Sequence, residues 1–459
     1  MATGNKTKKT AKNSSQARKH ASDSKGKYGV KIRMYRQGLG DCFLITLPRK
    51  NGKPFFIMID CGVILGTPNA AAQMKSVVKD IIATTNGHID LLLATHEHWD
   101  HLSGFVQTKD VFADLKVDKV WLAWTEDPTD NLAKKLRSEH HALRIALASA
   151  CARMRLERGG DSAVDGLMEF FGAAGQGTTG DALRFVKGLC EERRFCLPQD
   201  APVELDDLAA RLYILGPPHD EKMIKRYNPS KSQPETYGMA AMKMLAHSIA
   251  NADVDAPFDP IVQIPLEAAR QMHFFDAHYW GEDVDSQEKS QSWRRIDGDW
   301  LDLSSSLALQ LDSATNNTSL VLAVELGNDS VLLFAADAQV GNWLSWQDLS
   351  WTVDGKTVTG PDLLGRTILY KTGHHGSHNA TLREKGLEMM KNLKIALIPV
   401  DHNMAVKKRW GKMPLDELEK RLNEITKGCV LRIDRGVPPA LTGSVGQDES
   451  KNLYYEVTV

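Results

Sequence analysis

Apolar residues along the chain follow two rhythms. The stretches "YGVKIRMYRQGLGDCFLITLP" and "KPFFIMIDCG" have alternating or continuous apolar positions and predict two successive strands. "AAAQMKSVVKDIIATT" repeats its apolar side chains at helical spacing, and "IDLLLAT" and "DKVWLAWT" predict further strands. Helical patterns then dominate up to about residue 205, as in "NLAKKLRSEHHALRIALASACARMR", with a glycine-rich loop, "GAAGQGTTGD". "ARLYILGPPH" restores a strand. Polar loops mixed with Trp, Tyr and Phe follow, and the strand rhythm returns in "SLVLAVELGNDSVLLFAADA", "RTILYKTGHH", "KIALIPVDH" and "CVLRID". No repeat at solenoid periods is present. The pattern predicts one α/β scaffold over residues 29–459, interrupted by two largely helical insertions at about 125–205 and 220–305.

Composition narrows the class. With 42% hydrophobic and 25% charged residues in 459, the chain reads as a soluble globular protein able to bury a sizeable core. No apolar run approaches the ~20 residues of a membrane helix, so no membrane partner is expected. The lysine-rich start lacks the apolar core of a secretory signal. The six cysteines (Cys42, Cys61, Cys151, Cys190, Cys196 and Cys429) form no C-x-x-C pair. They read as reduced thiols of a cytoplasmic protein. The formal net charge of -1 conceals an asymmetry: residues 1–28 carry Lys6, Lys8, Lys9, Lys12, Arg18, Lys19, Lys25 and Lys27 against Asp23. This head is predicted to be a disordered basic tail, either a loose contact for phosphate backbones or a solubilising arm.

The candidate chemistry is concentrated in "LLLATHEHWDHLSGF". His96 and His98 lie two apart at the end of an apolar strand and so point the same way on extended backbone. Asp100 and His101 follow on the turn into the next helix. Imidazoles and carboxylates crowded in this way suit divalent metals, and a catalytic site also keeps a position open for water or substrate.

The run His96-Glu97-His98-Trp99-Asp100-His101 resembles the H-x-H-x-D-H signature of the metallo-β-lactamase superfamily. The resemblance covers about residues 29–120 and 203–457, outside the insertions. It implies an αββα sandwich, two packed mixed sheets flanked by helices, with two divalent metal ions, zinc or manganese. It assigns Asp60, ending "FFIMID", to steadying the metal loop from behind, and Asp337, in "VLLFAADA", to bridging both ions. It places the last metal-binding histidine at His374-His375, and members with an HHG segment suggest His375. His374 is then left for the substrate, as a phosphate contact or general acid. A finer similarity, to the hydrolase domain of the ComEC/Rec2 competence proteins, rests on "QGLGDCFLI", "NNTSLVLAVE" and "HHGS". That family's Gly-Asp motif reads Ala336-Asp337 here, its later "HP" reads Met413-Pro414, and its membrane channel is absent.

A third histidine for the first ion is expected at His219, after a strand and a Pro-Pro turn, with His140, His141, His247, His273 and His278 as competitors within the insertions. "ATLREKGLEMMKN" predicts a helix whose amino end, near Ser377 and His378, would receive an anion, with Lys371 adding charge. The resemblance implies hydrolysis through a metal-bound hydroxide, oriented by Asp100, acting on a nucleic acid or nucleotide phosphodiester. One alternative is an ester, lactone or thioester hydrolase with an apolar pocket built from "WRRIDGDWL" and "GNWLSW". Another is a partner-binding protein, contacting a protein through its insertions, with a structural metal site.

Overall fold

A computed structural model describes residue 1 and residues 29–158, 177–205, 207–230, 264, 266–280, 311–408, 410 and 413–459. The predicted basic tail and most of the second predicted insertion lie outside the described residues. The described elements begin with β1 (Lys31–Tyr35), β2 (Phe43–Pro48), β3 (Pro54–Ile59), α1 (Ala70–Thr85), β4 (His88–Ala94), α2 (Trp99–Gln107) and β5 (Lys116–Ala123). They continue with β6 (Arg193–Cys196), β7 (Val203–Leu205), β8 (Ala210–Gly216), β9 (Val321–Leu326) and β10 (Val331–Phe334). After these come β11 (Ser350–Val353), β12 (Lys356–Thr359), β13 (Thr367–Lys371), β14 (Ile395–Ile398), β15 (Val430–Arg432), β16 (Val445–Gln447) and β17 (Tyr454–Thr458).

Two mixed sheets result. The first has eight strands in the order β16-β17-β1-β2-β3-β4-β5-β6, and the second has seven in the order β15-β14-β13-β10-β9-β8-β7. In each, an antiparallel run leads into parallel strands, β3 to β6 in the first sheet and β10 with β13 to β15 in the second. Side chains alternate across a strand, so each sheet presents two apolar faces. Leu91 and Leu93 join Ile57, Ile59, Leu322, Phe334 and Leu397 in one cluster drawn from both sheets. Leu92 and Met58 face outward onto Met74, Val77 and Val78 of α1 and Leu102 and Phe105 of α2. The outer face of the second sheet is covered by Trp343, Leu363, Leu418 and Leu422, on helical segments. The chain is thus α/β, with two mixed sheets packed face to face and helices on both outer sides.

Three features depart from the sequence pattern. The first predicted strand is two, because Gly38 (φ 110°) and Gly40 (φ 146°) turn the chain between β1 and β2 in conformations that L side chains rarely adopt. Residues 179–196, predicted within the first insertion, belong to the scaffold. β6 pairs with β5, and the helix Thr179–Lys187 packs Ala182, Leu183 and Val186 into the core behind the first sheet. The helix Asn131–Arg158 remains as the insertion, and Arg144 on it donates to Glu97 (Nη1 to Oε1, 3.0 Å), tying it to the loop after β4. "ATLREKGLEMMKN" forms turns and a short 3-10 segment rather than the predicted helix. Gly386 takes an irregular conformation (φ −149°, ψ −102°) and the Leu387 amide turns back to the Leu382 carbonyl, burying both leucines. Among the described residues no helix is long and apolar enough to cross a membrane.

Candidate metal centre

The carboxyl ends of the parallel strands meet at one edge of the two sheets, and the predicted ligands lie on the loops that leave them. Asp60 follows β3, His96 to His101 follow β4, Asp337 follows β10 and His374-His375 follow β13. The β1–β2 turn brings Asp41 to the same place. The loop after β4 is gripped by backbone: the Asp41 amide donates to the Asp100 carbonyl (3.0 Å) and the Cys61 amide to the His101 carbonyl (2.8 Å). Gln37 Nε2 donates to the carbonyls of Gly40 (3.1 Å) and Gly62 (3.0 Å), joining the two gripping loops. Gly62 is required there, since a Cβ would lie 2.3 Å from the Asp100 carbonyl.

Four residues at this edge hold left-handed backbone: Asp60 (φ 55°), Ala336 (φ 46°), His374 (φ 42°) and His375 (φ 50°). Such conformations are costly for non-glycine residues and accumulate where the surroundings enforce them. At Ala336 the carbonyl accepts from Lys371 Nζ (2.9 Å) and from the His374 amide (3.0 Å), which fixes the turn. We expect Ala336→Gly to be neutral or to stabilise by up to about 1 kcal/mol, because relief of left-handed strain slightly outweighs the added unfolded-chain entropy. β-Branched Ala336→Val should cost about 2 kcal/mol or more. Urea denaturation checks both.

Of three buried donor groups among the described residues, two converge on Asp337, one of His96, His98 and Asp337, the other of Asp100, His101, His375 and Asp337; the third joins Asp41 and Asp60 to His101. Asp337 belongs to the first two. Its Oδ2 lies 3.9 Å from His96 Nε2, 3.2 Å from His101 Nε2 and 3.8 Å from His375 Nε2. The remote nitrogens of the histidines are held. His101 Nδ1 donates to Asp60 Oδ2 (2.7 Å), and His375 Nδ1 donates to the Pro399 carbonyl (2.8 Å). Thr95 Oγ1 donates to Asp60 Oδ2 (2.6 Å) and accepts from His96 Nδ1 (3.1 Å). Each of these three rings therefore turns Nε2 inward, as a metal ligand anchored from behind does. Nε2 of His101 and Oδ1 of Asp100 are buried without a hydrogen-bond partner among the described residues. Buried lone pairs left unpaired in this way call for a proton or a metal cation. These donors, imidazole nitrogen with carboxylate oxygen, fit zinc or manganese.

Charge balance points the same way. Asp41, Asp60, Asp100, Asp312 and Asp337 are all buried at this edge, with Lys371 as the fixed cation. Burial opposes charge on His101, but Asp337, Asp41, Asp100 and Asp60 outweigh it and hold the ring's pKa well above the usual histidine range. Burial likewise opposes charge on His375, and Asp337, Asp100 and Asp41 push its pKa up. With Nδ1 on a carbonyl and Nε2 3.0 Å from Asp100 Oδ2, His375 faces two acceptors, the arrangement of an imidazolium. Protons thus occupy nitrogens a metal would take, and metal binding must displace them. Two results are expected: metal affinity falls as pH is lowered from about 8 to about 6, as protons reclaim the rings. Chelation lowers the melting temperature, since each ion contributes about 4 kcal/mol when free metal is about a thousandfold above Kd. Calorimetric titration and thermal unfolding read these out.

Several predicted roles change. His219 is not part of the centre: its Nε2 pairs with Asp130 Oδ2 (2.8 Å) and its ring packs on Trp124, joining the end of β8 to the start of the insertion helix. None of the competing histidines within the described residues (His140, His141, His273, His278) joins the donor groups, and His247 lies outside them. Lys371 is buried, donating to Ala336 and paired with Asp41 Oδ2 at 2.5 Å, so it neutralises the interior and does not face a substrate. With the predicted helix absent, Ser377 and His378 cap no helix. His378 is exposed, while Ser377 is buried against His374. Asp41 and Asp312 were missed. Asp41 stands in the quoted "QGLGDCFLI", and its single acidic residue in a glycine-rich turn was the available signal.

His374 has a defined tautomer. Asn379 Nδ2 donates to the Tyr227 carbonyl (3.4 Å), which turns its Oδ1 to accept from Ser377 Oγ (3.0 Å). Having one hydrogen, Ser377 must then accept from His374 Nδ1 (2.9 Å). Nε2 of His374 is left as a lone pair, 3.4 Å from the Asn316 amide nitrogen and 4.0 Å from Asp337 Oδ2. Burial lowers the pKa of this ring to about 4, so it is neutral near pH 7. No protein-family model matches the chain, and no curated protein matches it.

Proposed function

We propose that the chain is a dinuclear metal-dependent hydrolase of the metallo-β-lactamase type, and that its substrate is a phosphodiester. The observation that carries this reading is Asp337, one buried carboxylate shared by two His/Asp donor groups. A structural site closes its coordination, whereas a shared carboxylate between adjacent sets suits ions that act together on a substrate. In this reading His96, His98 and Asp337 hold one ion, and Asp100, His101, His375 and Asp337 hold the other. Bound divalent cations would supply Lewis acidity toward a water and toward a phosphoryl oxygen.

The chain's own groups then divide the remaining work. Asp60 and Thr95 fix His101 and His96, and Asp100, on the first turn of α2, orients the attacking water. His374 exchanges its proton at Nε2 alone, because Ser377 retains Nδ1–H. It starts unprotonated, so it takes at Nε2 the proton that the attacking water loses and then gives it to the leaving oxygen. Of the two roles expected from the sequence, phosphate contact or general acid, this develops the second. An anionic diester favours a site whose excess negative charge has been reversed by two cations, and α2 adds the positive end of its dipole. The basic tail, if it touches nucleic acid, adds salt-dependent affinity without altering turnover.

The ester or lactone alternative loses half of its support: Trp343 and Trp346 of "GNWLSW" are stacked in the core under the second sheet, with centroids 4.0 Å apart, and line no pocket. The other half, "WRRIDGDWL", lies outside the described residues. The test is turnover of bis-p-nitrophenyl phosphate, labelled DNA, RNA and dinucleotides, against a lactone and thioester panel, with and without chelator. Metal-dependent diester cleavage is expected. Lactone or thioester turnover with inert diesters would replace the reading.

A further inference from the structure

We infer that Asp312 is a positioning residue for the first ion, holding His98 in the tautomer that presents Nδ1 to the metal. This rests on the metal reading above. His96 Nε2 and His98 Nδ1 face each other at 3.0 Å, and Thr95 already holds the opposite nitrogen of His96. Two ring nitrogens directed at one point are the atoms an ion would join, so His98 binds through Nδ1 and its Nε2 carries the hydrogen.

That Nε2 looks toward Asp312 Oδ1, 3.7 Å away. Asp312 is 7% exposed, and its Oδ1 has no hydrogen-bond partner among the described residues. The other oxygen, Oδ2, accepts from Asn316 Nδ2 (3.2 Å) one helical turn later, which directs Oδ1 at the ring. A buried carboxylate aimed at the far nitrogen of a ligating histidine fixes the ring's orientation and raises its basicity. The donor groups themselves leave Asp312 out, in keeping with a place behind the ligand. Asn316 also reaches His374 Nε2 (3.4 Å). Asp312 and Asn316 therefore form a bridge from the first ion's histidine to the proton-exchanging ring.

The inference predicts that Asp312→Ala weakens one of the two ions by about 10–100-fold, the usual cost of losing such a support, and leaves the other unchanged. Asp312→Asn, which keeps an acceptor oxygen, should recover part of the loss. Calorimetric titration with zinc into the metal-free full-length chain measures both variants. Their metal-free melting temperatures establish folding, and Asp312→Asn, which keeps the side chain's volume and an oxygen for Asn316 Nδ2, controls for any loss of stability in Asp312→Ala. In the zinc-loaded wild type, ring nitrogen NMR should show His98 metallated at Nδ1 with a slowly exchanging Nε2–H, and that proton should exchange faster in Asp312→Ala. Unchanged affinity for both ions in both variants, or His98 metallated through Nε2, overturns the inference. A wild type that binds no zinc would instead fail the metal reading itself, so the two failures are distinguishable.

Discussion

Asp337→Asn should cripple turnover and cost the chain at least one of its two ions. The change keeps the shape of the side chain but removes the charge that both ions would share, while His101, His375, His374 and Lys371 remain around it. In the metal-free chain those four cationic or polarisable neighbours overcome the cost of burial and hold the Asp337 carboxyl well below the usual carboxylate range. Its replacement by a neutral amide leaves Lys371 Nζ, 3.5 Å away, with Asp41 alone. We expect metal content to fall to one ion or none, and turnover to drop on the order of 10⁴-fold, the scale on which removing one member disables a catalytic unit. The variant should still fold, since the adjoining turn is held by Ala336 and Ser319 backbone and hydroxyl contacts. Elemental analysis and circular dichroism separate loss of metal from loss of structure.

His375→Ala and His374→Ala should give different defects. His375 Nε2 stands within the second donor group and its Nδ1 is anchored to Pro399, so its loss should remove about one ion and all measurable turnover. His374 lies outside both groups, so His374→Ala should retain both ions and slow turnover by roughly 10²–10⁴-fold, the worth of a proton-transfer group. A diester with a good leaving group, which needs no proton, should recover the part of that loss that comes from protonating the leaving oxygen. Ser377→Ala releases the Nδ1 constraint and should reproduce a fraction of the His374 defect without touching metal content. If His374→Ala loses an ion while His375→Ala keeps both, the two assignments are reversed.

The parts of this centre that were legible in the sequence are those carried by short-range pattern. The strand ending at Ala94 and the histidines after it are local, so apolar run and ligand spacing could be read together. Asp60 and Asp337 were placed by the resemblance, which matched each to an acidic residue following an apolar run. Their pairing across the two sheets rests on packing that no local pattern encodes. Asp312 lies far in sequence from His98, so no local pattern joined the two, whereas His219 was expected as a ligand because it follows a strand and a Pro-Pro turn. The Asp130–His219 pair and the Trp124 ring show the actual use of that histidine, as a tie between scaffold and insertion. The segment after Ser377 failed for a different reason: its leucines and methionines have helical spacing, but burial of Leu382 and Leu387 is achieved by a turn at Gly386, whose ψ of −102° is neither helical nor extended. His374 and His375 take left-handed backbone, which no local pattern announces, and their rings diverge, with centroids 6.0 Å apart.

The central claim, two ions sharing Asp337, is tested most directly by metal stoichiometry. The full-length chain should be stripped with chelator, reloaded with zinc or manganese, freed of excess metal and analysed for metal per chain. The account predicts about two divalent ions in the wild type, about one in His375→Ala, and one or none in Asp337→Asn. A wild-type chain that retains no metal after reloading, or an Asp337→Asn variant that retains both ions, would contradict it.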